Sequence, residues 1–143
     1  MERAGTDLSN QLTNAPEIRK RTPYNSLARL LLPAIEKNAM KTAQEQTILD
    51  QAGVACALER YRLANGLYPE NLQSLVPQLI KRIPTDVING ESLHYHRTDY
   101  GRFVLYSIGW NEKDDGGTVA WTDSKPPSVN PDKGDWVWEY PVN

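Results

Sequence analysis

The sequence predicts an α+β domain, in which a long N-terminal helix packs on a small antiparallel β-sheet. Two observations lead there. Helix-forming and helically spaced residues are confined to the first half of the 143-residue chain, and period-two alternation to the second half. A turn signal at Asn89-Gly90 separates the two regimes.

Met1 to Asn25 is polar, has no apolar period and carries Pro16 and Pro23, so residues 1–25 read as a flexible arm or linker ahead of a domain over 26–143. The Arg19-Lys20-Arg21 triplet within it reads as solvated charge. From Ser26 to about Ala64 the chain reads as helix, with Ser26 as its N-cap and Pro33 breaking or kinking its first part. Glu36–Asp50 is rich in Ala, Lys, Glu and Gln, all good helix formers. Farther along, Val54, Leu58 and Tyr61 share one stripe, while Ala52, Ala55 and Cys56 offer a small-residue surface. Asn65-Gly66 is the stop. Pro69 then opens a short helix whose Leu72, Leu75, Val76 and Leu79 recur at helical spacing, and Pro77 ends it.

Ile83–Gly90 has no periodicity and reads as an ordered loop. Strand character follows at Leu93–His96, at Arg102–Ile108, at Thr118–Trp121 and at Asp135–Tyr140, with irregular chain over Pro126–Gly134. In sequence order this is an antiparallel meander.

Composition narrows the function. A net charge of −2 provides no field to attract nucleic acid or an anionic membrane. The best apolar run, Leu27–Ile35, contains Arg29 and Pro33 and is far short of the ~20 residues a membrane span needs. Cys56 is the single cysteine, so no intrachain disulfide forms; within "GVACAL" it reads as a small core residue. Nothing resembles a nucleophile elbow or a phosphate-cradling glycine loop, and the chain reads as non-enzymatic.

Three places could carry chemistry. "YSIGWNEKDDGG" (Tyr106–Gly117) gathers Asn111, Glu112, Asp114 and Asp115, hard oxygen donors of the kind calcium takes. The spacing fails the helix-loop-helix calcium pattern, and Asp-Gly between strand-like runs makes a hairpin turn the plainer reading of these residues by themselves. His94 and His96 share a strand face and could chelate zinc in a small hydrolase, but no third ligand is specified and the plainer reading is the solvated side of an amphipathic strand. Trp136 and Trp138, also on one strand face, could form a stacking platform for glycan or peptide; the plainer reading is sheet core.

Taken together, "ALERYRLANGLYP" (Ala57–Pro69), "LQSLVP" (Leu72–Pro77), "IPTD" (Ile83–Asp86) and "YSIGWNEKDDGG" resemble the globular part of the major pseudopilin of type II secretion systems. The chain is similar, too, to pseudopilin-like modules at the C-terminal ends of larger bacterial proteins. Order and spacing agree over about half of the chain. The resemblance implies a structural role in protein secretion, an extracytoplasmic location on the periplasmic side of the bacterial cytoplasmic membrane, and an anchor in a segment this chain does not contain. As partners it implies other pseudopilin-like subunits or the rest of a larger protein. It also implies a stabilising Ca2+ held by Asn111, Asp114 and Asp115, with the carbonyls of Tyr106 and Gly109 and the carboxylate of Asp123 as further ligands. Asn111 stands where the family has Asp, which lowers the charge available to the ion.

Overall fold

The computed structural model describes residues 23–98 and 101–138, with side chains from Leu31 onward. The expected arm over residues 1–22 and the end of the last expected strand, including Tyr140, lie outside the described residues. The fold class is the expected one: one long helix and small antiparallel sheets, an α+β protein. The chain divides into two compact units, Met1–Thr42 and Ala43–Asn143.

Helix α1 runs Pro23–Asn65. It starts three residues before the expected Ser26 cap, so Pro23–Asn25 are helical rather than part of an arm. Proline suits a helix start, because its missing N–H is one that no intrahelical carbonyl would accept. Of the two expectations for Pro33, a break is not what is found: α1 continues through it as a single 43-residue element. An interior proline costs about 3 kcal/mol, through one lost hydrogen bond and a ring clash. The helix stops where Gly66 adopts φ 82° and its N–H bonds the Arg62 carbonyl. In the unit Met1–Thr42, Leu31 and Ile35 of α1 are exposed.

The unit Ala43–Asn143 holds the core. Val54, Ala55, Ala57 and Leu58 of α1 are buried in one cluster with Tyr68, Leu72, Leu75, Leu93, Phe103 and Leu105. Cys56, expected in that core, is exposed instead. At ~100° per residue it lies roughly 160° around the helix from Leu58, so its apolar neighbours in sequence are not its neighbours in space. Leu72–Leu75 is a 3-10 turn rather than an α-helix; it buries Leu72 and Leu75, as the spacing predicts.

Strand β1 is His94–Arg97, β2 Phe103–Ser107, β3 Val119–Trp121, β4 Val129–Gly134 and β5 Trp136–Val137. They do not form the expected meander. The three-stranded sheet is ordered β1-β2-β5, all antiparallel, and β3 pairs with β4 in a separate two-stranded sheet. Residues Pro126–Gly134, expected to be irregular, contain β4. That strand is largely exposed and carries Pro131, so it has no inward face from which an alternation could be read.

Two buried polar groups fix these parts. Gln51 Nε2 of α1 donates to the Trp136 carbonyl at 2.6 Å, tying helix to β5. Asp86, at the end of "IPTD", accepts the N–H groups of Ile88 at 2.9 Å and Ile108 at 3.1 Å, which pins that loop to the end of β2. Immediately beyond, Gly109 and Gly134 bring two backbones together: a Cβ on Gly109 would collide with the Gly134 carbonyl oxygen.

Candidate functional site

The alternation of β2 gives the sheet two covered faces. Phe103 and Leu105 point into the helix-side core. On the other face Val104 and Tyr106 lie beneath the loop over residues 109–118, and Gly117 sits so close that a Cβ there would be 2.9 Å from Val104 Cγ1. The "NEKDDGG" segment is therefore a cover for the outer face of the sheet. Of the calcium ligands that the resemblance implies, Asn111, Asp114 and Asp115 lie in it, but they face different ways.

Asp114 turns towards the sheet. Its Oδ1 accepts from the Tyr106 hydroxyl at 3.1 Å and the Gly116 N–H at 2.9 Å, and its Oδ2 lies 3.6 Å from His94 Nδ1. The Gly116 N–H, followed by the Tyr106 hydroxyl and His94, holds this carboxyl below its ordinary value of 3.8. Burial, reinforced by the bond to Asp114, pushes the Tyr106 hydroxyl up to about 12.

Asp115 turns the other way. Its Oδ1 accepts from Lys113 Nζ at 2.7 Å and its Oδ2 from Asn111 Nδ2 at 2.9 Å, and Lys113 first, then Asn111, lowers its pKa. Asn111 and Asp115 line an open depression of about 460 Å³ together with Thr118, Ala120, Lys133 and Gly134. The Gly109 carbonyl accepts the Glu112 N–H at 3.2 Å, while Glu112 itself takes a φ of 55°. Tyr106 lies in the central strand between His94 and Val137, so its backbone belongs to the ladder. Asp123 is exposed in the turn between β3 and β4; among the described residues no hydrogen bond joins it to Asn111, Asp114 or Asp115.

As a test of calcium, this donor set does not fit a cage in the arrangement described. The two carboxylates serve separate partners, and Asn111 presents its amide nitrogen, not its oxygen, to Asp115. The residue that organises the loop is one the sequence reading passed over. Asp135 is 1% exposed and accepts three backbone N–H groups from the loop: Asp115 at 3.2 Å, Gly117 at 2.6 Å and Thr118 at 3.2 Å. It lies between Gly134, at φ 70°, and the buried Trp136.

The imidazoles of His94 and His96 both rest on Tyr106, one stacked at 4.9 Å between ring centroids and the other edge-on at 6.4 Å. Among the described residues no group of three or more His, Cys, Asp or Glu is placed to hold a metal. The tryptophan platform is not presented. Trp136 is buried and its Nε1 donates to the Pro131 carbonyl at 3.1 Å, while Trp138 packs partly buried against the core. Both rings fill the space around the sheet, and Trp121 is the exposed one.

An apolar surface lies on the back of α1. Leu49 and Leu63 are 67% and 75% exposed, and Gly53 and Cys56 between them are exposed as well. At ~100° per residue these four fall in roughly an 80° stripe that also holds the exposed Arg60, opposite the buried Thr47, Gln51, Val54 and Leu58. Nothing lies within 4 Å of the position a Gly53 Cβ would take.

No family model and no curated protein matches this chain.

Proposed function

We propose that the chain is a non-enzymatic structural module, similar in build to the soluble part of a type II secretion pseudopilin, that acts outside the cytoplasmic membrane by packing α1 against another pseudopilin-like subunit. The observation that carries this reading is the solvent-facing stripe Leu49-Gly53-Cys56-Arg60-Leu63, whose positions other than Arg60 are apolar or small. The helix already buries a complete opposite face in its own core, so this second stripe is surplus to the fold. Large exposed leucines flanking small residues suit a helix that meets another helix closely, with Gly53 and Cys56 letting the backbones approach. The arrangement of the loop over residues 109–118, with its acidic oxygens taken up by protein donors, is that of a structural cover and supports the same reading.

Sedimentation velocity over a concentration series tests it. The wild-type chain self-associates, and Leu49→Glu combined with Leu63→Glu shifts it to monomer by at least tenfold in Kd, equivalent to about 1.4 kcal/mol or more. At concentrations where both chains are monomeric the melting temperature is unchanged within a degree or two, because both side chains face solvent in the isolated chain. A wild-type chain that stays monomeric at every concentration, or a double variant that associates equally well, contradicts the proposal.

A further inference from the structure

We infer that the loop over residues 109–118 is closed by protein groups in place of a metal ion, with Lys113 as its cation and Asp135 as the ligand that gathers its backbone.

The first ground is the allocation of oxygens. An ion shared by Asn111, Asp114 and Asp115 needs their oxygens to converge, yet Asp114 Oδ1 is taken by Tyr106 and Gly116 and both Asp115 oxygens are taken by Lys113 and Asn111. The second ground is charge. The ammonium of Lys113 sits 2.7 Å from Asp115, where a cation would sit, and Lys133 lines the same depression. A divalent ion entering there meets the Asp115 carboxylate already paired with the Lys113 ammonium. The third ground is Asp135, which lies outside the acidic run and is buried. A buried carboxylate is tolerated only when its lone pairs are filled, and three loop N–H groups fill them. The Asp135 N–H also donates to the Thr118 carbonyl at 2.9 Å, so the loop's far end is bonded to one residue through both backbone and side chain. A calcium loop gathers carbonyl and carboxylate oxygens around a cation; this one gathers N–H groups around an anion, the opposite polarity.

Hydrogen exchange on the full chain, followed by NMR with and without calcium, tests the inference. With chelator present, the amides of Gly117 and Thr118 are protected, and 5 mM calcium changes their exchange rates and the melting temperature no more than 5 mM magnesium does (roughly no shift, against the strong dependence that binding to the folded state alone imposes). In Asp135→Asn both amides lose protection, by tenfold or more, with or without calcium. Protection that appears only with calcium, or a calcium-selective rise in melting temperature abolished by Asp114→Ala with Asp115→Ala, overturns it. Should Asp135→Asn fail to fold, the wild-type comparison decides the question by itself.

Discussion

At the scale of single residues, the loop's carboxylates set a pH response. Asp114 and Asp115 both have folded-state pKa values below the ordinary 3.8, the first through the Gly116 N–H and the second through Lys113. The folded chain therefore holds fewer protons at these sites than the unfolded chain near pH 4. Their contribution is fully present above the unfolded value and is lost as pH falls through the folded values. The melting temperature is expected to be level in this respect from neutrality down to about pH 5 and to decline below about pH 4. Replacing both by Asn flattens that acid limb, and an equally steep limb in the double variant, followed by circular dichroism, contradicts the assignment. The residue that matters most here was not legible in the sequence. Asp135 reads as one acid beside a strand, and nothing local announces that three amides from a segment 17 to 20 residues earlier converge on it.

At the scale of elements, α1 was legible in its existence and its buried stripe, since Val54 and Leu58 recur at helical spacing and are buried as expected. Its details were less so. Pro33 signals a break or a kink, and the helix runs through it without a break; the apolar neighbours of Cys56 in sequence suggest core, whereas its angle around the helix puts it outside. β2 was the clearest strand because both of its faces are covered, which makes its run continuously apolar. β4 was missed because most of it faces solvent, and an exposed strand of a two-stranded sheet has no alternation to display. The pairing of β5 with β2 was hidden too, because the intervening β3–β4 pair removes the sequence adjacency on which a meander relies. Gly53 yields a prediction at this scale. It sits inside a helix with open space around its Cβ position, so Gly53→Ala raises the stability of the monomer by about 0.5–1 kcal/mol in urea denaturation. A loss of stability would mean that this stretch of α1 is not solvent-facing in the isolated chain.

At the scale of the whole molecule, the unit Ala43–Asn143 is built by burying one stripe of α1 under a three-stranded sheet and covering that sheet's other face with the loop over residues 109–118. Both faces of the sheet are thus used by the fold. The back of α1 remains exposed within this unit, with Leu49, Cys56 and Leu63 on it, and the proposed assembly role rests on that surface. The one cysteine of the chain lies on it. Cys56 therefore reports directly on the central claim without any engineered residue. Under mild oxidation at micromolar concentration, copies that pack α1 against α1 give a disulfide-linked dimer within minutes, and Leu49→Glu with Leu63→Glu slows the reaction at least tenfold (about 1.4 kcal/mol in the contact that brings the thiols together). Cross-linking at the same slow rate in the wild type and the double variant would show that the thiols meet only by random collision, and that the stripe on α1 is not where the molecules join.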